Sequence, residues 1–316
     1  MRTARETLKH TPKISVVIPC YNYGHYLAQA IESVLSQSFE NFELIVCDDG
    51  STDNTREVAH SFRDSRIVYL HQQNIGVPSA HNLGLHKARG KYFCPLDADD
   101  WWLKSSKLEY QYAVLESDPS RVMTYASASV YPYDTKKRDL KRSWPSGHIF
   151  QELLLGDFIA FGTIMVPTDL ARRVGFDERV PYMQDYPFKL KIAALGRVEF
   201  WDETVMAYRQ HAQSVSKSAI RLRENAIEVI NMLRVEPYLH LAPKKIWRQA
   251  LSSQHFACGK EYELVGDLMK AKSHHLSALK QWPLNWKAIA LLKGIQLGGL
   301  LGQARSLKKF LTRGNA

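Results

Sequence analysis

The first hundred residues alternate between two hydrophobic periods, and that alternation limits the folds open to the chain. Ile14-Ser15-Val16-Val17-Ile18 is a short apolar run stopped by Pro19. Tyr26 to Gln37 then carries Leu27, Ile31, Val34 and Leu35 at helical spacing. Phe42 to Cys47 is a second strand-like run, ending in Asp48-Asp49-Gly50-Ser51. Ser51 or Asp53 suits the N-cap of a helix reaching about Arg63, because a side-chain oxygen there accepts from a free first-turn N–H. Ile67 to Leu70 is a third strand, and Pro78 to Ala88 a helix ended by Gly90. Lys91 to Leu96 is a fourth strand, running into Asp97-Ala98-Asp99-Asp100. Strands joined by crossover helices make a parallel, doubly wound sheet. The expected class is therefore α/β, with a Rossmann-like, mostly parallel central sheet flanked by helices. Ligands bind such sheets beyond the carboxyl ends of the strands. Tyr21, Asp48, Asp49, Asp97 and Asp99 all fall there.

The pattern loosens after residue 118. Val122 to Tyr131 and Thr163 to Val166 read as strands, and Arg197 to Tyr208 as a further one. Ile149 to Leu155, Asp169 to Val174 and Asp185 to Leu195 read as helices, and residues 132–148 as a polar, basic loop. Beyond about 216 the chain reads as helical only, with a faint likeness to one tetratricopeptide-type hairpin over Leu264 to Pro283. Four segments result: a tail at 1–12, a first subdomain at 13–118, a second at 119–216, and a basic all-helical extension at 217–316.

The net charge of +10 invites a nucleic-acid partner, but its distribution argues otherwise. Residues 241–316 hold thirteen Lys/Arg against Glu261, Glu263 and Asp267, whereas residues 14–240 are slightly acidic. An acidic body with a basic tail suits tethering to an anionic surface rather than reading nucleic acid. Cys20, Cys47, Cys94 and Cys258 show no paired spacing and fit buried thiols in a reducing, cytoplasmic setting. No apolar run approaches the roughly twenty residues a membrane span needs, and no secretory leader is expected.

Asp97-Ala98-Asp99 is the sharpest local feature. Two carboxylates at one strand end repel each other unless a cation lies between them, and Mg or Mn takes such oxygen ligands. The bland alternative is a solvated acidic turn. Context decides between them. Val16-Val17-Ile18-Pro19-Cys20-Tyr21-Asn22, Ile31-Glu32-Ser33-Val34-Leu35-Ser36-Gln37-Ser38-Phe39 and Glu43-Leu44-Ile45-Val46-Cys47-Asp48-Asp49-Gly50-Ser51-Thr52-Asp53 come in one order. Asn74-Ile75-Gly76, Asn82, Gly90-Lys91-Tyr92 and Leu96-Asp97-Ala98-Asp99-Asp100 follow. Together they resemble the family 2 glycosyltransferases, which have the GT-A fold. The match is dense over about 13–110 and thinner to about 216.

The resemblance implies a nucleotide-diphosphate sugar donor, a UDP-sugar above all, with a hexosyl or N-acetylhexosaminyl group to transfer. It places Pro19, Tyr21, Asn22, Asp49, Asn82, Asp97 and Arg209 at the donor. Tyr21 would stack on the base and Asp49 accept from its ring N–H, with Asp48 easily confused with Asp49. Asp99 and His211 would hold a divalent metal, Mn or Mg, acting as a Lewis acid toward the leaving diphosphate. Asp185, at a helix start, matches the family's base, with Gln184 where a Glu is usual. A base taking the acceptor's proton, with no covalent intermediate, means inversion. The competing role for Asp185 is a plain N-cap. Tyr208-Arg209-Gln210-His211-Ala212-Gln213-Ser214-Val215-Ser216 resembles the family's closing segment, where Arg209 matches phosphate geometry.

Trp101 and Trp102 follow the acidic cluster and could stack on an acceptor sugar, or plug the core, and Gln184 lies on the same acceptor side. Trp144 belongs to the expected lid loop. His81, His86, His274 and His275 read as helix-surface residues. Leu297, Leu300, Ala304, Leu307 and Leu311 make one helix face, with Arg305, Lys309 and Arg313 pointing elsewhere; such a face packs against the preceding helices with its basic residues in water, or lies on the inner face of an anionic plasma membrane. The acceptor would then be a saccharide or lipid-linked molecule of cell-surface polysaccharide synthesis. Two other readings compete: a nucleotidyltransferase, which would need a Gly-rich phosphate loop that is absent after the first strand, and a lapsed sugar-nucleotide-binding scaffold, which Gln184 alone favours.

Overall fold

The computed structural model describes residues 11–132, 144–211, 219–235 and 237–285. The first ten residues, residues 133–143 of the expected lid, Ser214 to Ser216 and the Leu297–Leu311 stripe lie outside the described residues. The chain divides into two compact units. One is Met1–Leu153 with Asp157–Ser214, and the other is Leu154–Gly156 with Val215–Ala316.

In the first unit the apolar runs become β1 (Ile14–Cys20), β2 (Phe42–Asp48), β3 (Ile67–His71) and β4 (Tyr92–Pro95). Every residue of β1, β2 and β4 is buried, as continuous apolar strands covered on both faces should be. Helices α1 (Gly24–Leu35), α2 (Thr55–Ser61) and α3 (Val77–Lys87) make the crossovers. The sheet order is β3-β2-β1-β4-β7, with β7 (Val166–Pro167) antiparallel at the edge. The first four strands are parallel. Chain order runs outward from β1 through β2 to β3, then returns to β4 on the other side of β1. The reversal between β1 and β4 is the topological switch point where such sheets bind ligands.

Close contacts fix the frame. Gly84 brings α3 onto the sheet: a Cβ there would lie 2.4 Å from a Val17 methyl carbon and 2.8 Å from Cys47 Sγ. Gly90 likewise sits against the backbone of Ile14 and Ser15. Glu43, although 3% exposed, accepts from Ser15 Oγ and from the Arg89 backbone and side chain. The N-cap residue of α2 is Asn54 rather than the expected Ser51 or Asp53; Asp53, one residue earlier, accepts from Thr55 N–H and from Gly24 N–H, tying the starts of α2 and α1 together.

A smaller sheet of order β5-β8-β6 completes the unit, from β5 (Trp101–Trp102), β6 (Arg121–Tyr131) and β8 (Arg197–Arg209). The sequence signals miss β5, which is two residues long, and α4 (Lys107–Ser117). The α4 face turned inward carries buried Lys107 and Gln111 beside Leu108 and Leu115, so no apolar stripe marks it. The strand expected at Thr163 to Val166 is instead a 3-10 turn at Phe161–Thr163 followed by β7. Between β8 and α4 the remaining helices are α5 (Phe150–Leu155), α6 (Thr168–Val174) and α7 (Asp185–Ala193).

The second unit is helical where described, with α8 (Ala219–Leu233), α9 (Lys244–Leu264) and α10 (Leu268–Gln281). The expected hairpin at Leu264 to Pro283 corresponds only to a turn and α10; its first arm is the earlier α9. Gly266, at φ +83°, makes that turn, and Asp267 caps α10 by accepting from Lys270 N–H. Two histidines expected on helix surfaces are core residues: His81 and His275 are both 0% exposed. All four cysteines are free and buried. Among the described residues no helix is long and apolar enough to cross a membrane.

Candidate active site

Tyr21 follows β1 and is 43% exposed, an aromatic face turned to solvent beside the switch point. Pro19 is buried within β1. Asn22 adopts φ +56°, an arrangement asparagine tolerates because its side chain can bond locally. Its N–H donates to Ser51 Oγ, and its side-chain oxygen accepts from Thr52 N–H at 2.8 Å. The loops after β1 and β2 are thereby locked to each other. Asp48 holds the second of these turns, accepting from Ser51 N–H and from the Tyr69 hydroxyl. Asp49 accepts from Ile75 N–H, Gly76 N–H and Gln72 Nε2, and so shapes the loop before α3. Asn82 lies further off in role: its amide donates to Phe176 carbonyl and accepts from Phe176 N–H. That pairing pins the segment after α6 to α3.

Beyond β4 the acidic residues converge. Asp100 is 2% exposed, accepts from Arg209 N–H at 2.8 Å, and is held well above the ordinary carboxylate range by burial and by the charges of Asp97 and Asp99. Burial, with the charges of Asp99 and Asp185, pushes the Asp97 carboxyl up to about 7. Asp99 Oδ2 lies 2.9 Å from His211 Nε2. The His211 ring packs edge-on against Tyr23 and tilted against Tyr26, which sets its direction. Arg209 donates to the Asp99 carbonyl and to Gln29, and its guanidinium sits 4.7 Å from the Tyr26 ring centre and 4.5 Å from that of Trp101. It braces the acidic turn. Asp99 and His211 bring a carboxylate oxygen and an imidazole nitrogen within 2.9 Å of each other, with Asp97 and Asp100 crowded beside them, and donors of these types suit a divalent ion.

The two tryptophans separate. Trp101 is partly exposed, with its ring edge-on to Tyr131 at 5.0 Å. Trp102, expected with it on the acceptor side, is a core residue, 4% exposed. Its indole N–H donates to Gly162 carbonyl, its backbone N–H donates to Ser33 Oγ, and Lys107 Nζ lies 4.1 Å over its ring. Trp144 stacks on Phe158 with centroids 5.2 Å apart.

Asp185 is the first residue of α7, one past the N-cap position, which Gln184 holds. Its side chain meets Lys189, one turn on, at 2.7 Å. Lys189 is 1% exposed and also donates to Asp157 at 2.8 Å and to Ile159 carbonyl. Burial pulls the Lys189 ammonium down, but the charges of Asp157 and Asp185 outweigh it and hold it above its ordinary value. One carboxylate oxygen of Asp185 is thus anchored. Sequence reasoning misses Lys189 because a lysine in a helix reads as surface. Its signal is position: it lies between Phe188 and Leu190, on the buried side of α7. His81 lies below, stacked on Phe176 at 4.6 Å. Burial lowers its pKa to about 3, against the opposing pull of Asp185. Gln184 precedes the helix as its N-cap residue.

The comparisons agree with this architecture. The family profile "Glycosyl transferase family 2" matches residues 15–177. An uncharacterized glycosyltransferase of Rickettsia prowazekii is 33% identical over 224 residues, covering 68% of this chain and 69% of that one. Chondroitin synthase of Escherichia coli is 27% identical over 230 residues, covering 71% of this chain but 33% of the synthase. Among solved structures, S. aureus TarS 1-349 in complex with UDP-GlcNAc superposes with TM-score 0.64 at 18% identity, over 92% of each chain. The mannosyltransferase PcManGT of Pyrobaculum calidifontis, in complex with GDP-Man and Mn2+, gives TM-score 0.60 at 20% identity, over 96% of this chain and 84% of that one. Built on a GT-A fold with its acidic turn at the switch point, the chain belongs to glycosyl transferase family 2.

Proposed function

We propose that this chain is an inverting, metal-dependent glycosyltransferase that moves a sugar from a nucleotide-diphosphate donor, a UDP-sugar, to an acceptor hydroxyl. The observation that carries the reading is the meeting of two sets of carboxylates. Asp97 and Asp99 follow β4 at the switch point, and Asp185 opens α7 near enough for its charge to act on Asp97. A donor diphosphate at the first set brings its anomeric carbon toward the second.

Tyr21 offers the exposed face for the base, and the loops locked by Asn22, Asp48 and Asp49 shape the slot around it. Asp99 and His211 are the residues to hold the divalent metal, with Asp97 beside them. That ion, when bound, supplies charge neutralisation for the departing diphosphate. Asp185 takes the acceptor proton through the carboxylate oxygen that Lys189 leaves free. The hydroxyl oxygen bonds to the anomeric carbon as the bond to the diphosphate breaks, so the sugar's configuration inverts and an α-linked donor gives a β-linked product. Trp101 and Gln184 lie toward the acceptor. A saccharide or lipid-linked acceptor in cell-surface polysaccharide synthesis accords with the chondroitin synthase likeness, and UDP-GlcNAc accords with TarS.

Thermal shift with UDP, GDP and their sugar conjugates, each with and without Mn2+, tests the donor half. A ligand present at a hundred times its Kd stabilises the folded state by about 2.7 kcal/mol. Stabilisation by UDP that depends on Mn2+ and is lost in Asp99→Ala is expected. Equal stabilisation without metal overturns the metal assignment.

A further inference from the structure

A second group of ligand-type side chains lies within the helical unit. Glu224 on α8, Cys258 on α9 and His274 on α10 each present one donor atom, and the three atoms lie within 4.8 Å of one another. Cys258 is fully buried and its Sγ is 3.6 Å from His274 Nε2. Glu224 and His274 are partly exposed, so an ion has a way in.

The surrounding contacts orient each donor. His274 Nδ1 is 3.1 Å from His255 Nδ1. One of these nitrogens carries the proton of that bond. With it on His274 Nδ1, the Nε2 lone pair faces the Cys258 sulfur. A proton on the far nitrogen, fixed by a neighbour, is how proteins set the tautomer of a ligating histidine. The Tyr262 hydroxyl donates to Glu224 Oε1 at 2.6 Å, leaving Oε2 available.

We propose that Glu224, Cys258 and His274 form a metal site for a zinc-type divalent cation that staples α8, α9 and α10 together. Sulfur, imidazole nitrogen and one carboxylate oxygen make a donor set suited to zinc, with the fourth tetrahedral position left to water. Binding exchanges the thiol S–H bond for a sulfur–metal bond and releases one proton to solvent; nothing is oxidised or reduced. The unit has a use for a staple. Among the described residues, the cluster around this place has Cys258, Tyr262 and Ala271 as buried members, with Ile220 and Ile227 packed against it. Small cores commonly rely on a metal or a crosslink.

The test uses the full chain, purified under reducing conditions without a metal-affinity step, loaded with Co2+ alone and then Zn2+ alone. Co2+ is expected to give a near-ultraviolet thiolate-to-cobalt charge-transfer band that Zn2+ abolishes. Cys258→Ser, which is close in size, is expected to lose the band while keeping the wild-type helical circular dichroism. Asp99→Ala is expected to keep it, which separates this site from the donor metal. His255→Phe is expected to weaken Zn2+ binding about 10–100-fold. Absence of the band in wild type, or its survival in Cys258→Ser, overturns the proposal and leaves the cluster as a hydrogen-bonded network.

Discussion

Lys189 ties down one oxygen of Asp185, the residue proposed as the base. The region beneath the acidic turn holds several carboxylates, and Lys189 is the buried cation shared by two of them. Replacing it with Met leaves Asp157 and Asp185 without that partner. Losing one partner of a buried ion pair costs about 3–5 kcal/mol, and the lower end applies because the two carboxylates are 23% and 24% exposed. Urea unfolding of Lys189→Met should show that loss, and adding Asp157→Asn should recover part of it. An unchanged urea midpoint in Lys189→Met would contradict the account. His81 gives a pH prediction of defined sign. Its folded value, about 3, lies below its ordinary 6.5. Between those values the unfolded chain binds a proton that the folded chain does not. The His81 contribution is fully present above pH 6.5 and falls away toward pH 3, at up to about 1.4 kcal/mol per pH unit. Stability of His81→Leu, measured by denaturant titration across that range, should fall less steeply than wild type. Both His81 ring nitrogens also lack a partner among the described residues, so the variant should not lose stability near pH 7.

At the scale of elements, α3 packs closely on β1 and β2 through Gly84. Gly84→Ala places a methyl group against Val17 and Cys47. Overpacking of this kind costs about 1–3 kcal/mol, and a lowered thermal midpoint should report it; an unchanged midpoint would show that the layers give way. The elements also explain what could be read in advance. β1, β2 and β4 are unbroken apolar runs closed by turn residues, so strand, helix and acidic strand ends were legible together. α4 was not, because Lys107 and Gln111 occupy its inner face, the lysine over Trp102 and the glutamine donating to Thr163 carbonyl. The same inversion hid Lys189. Buried polar residues that satisfy each other erase the period that marks a helix, and a single chain carries no sign of the partner. Trp102 shows the converse: beside an acidic site it looks like a sugar platform, and only its contacts with Gly162 and Ser33 reveal a core residue.

For the whole molecule, charge is partitioned. The basic excess lies in residues 241–316, while residues 14–240 are slightly acidic. An anionic membrane surface would attract such a tail, by about 1 kcal/mol for each Lys or Arg near it. Flotation with anionic vesicles should carry the full chain and leave a chain lacking residues 285–316 behind, with the difference shrinking at high salt. Equal flotation of both would remove the tail from the account.

The central claim is that the acidic turn binds the donor and Asp185 performs the proton transfer, and one comparison separates the two. Donor turnover to a saccharide acceptor and binding of the same UDP-sugar with Mn2+ are measured side by side for wild type and Asp185→Asn. The account predicts turnover reduced by about 10²–10⁴-fold, the usual contribution of a general base, with donor binding unchanged. Wild-type turnover in Asp185→Asn would contradict it.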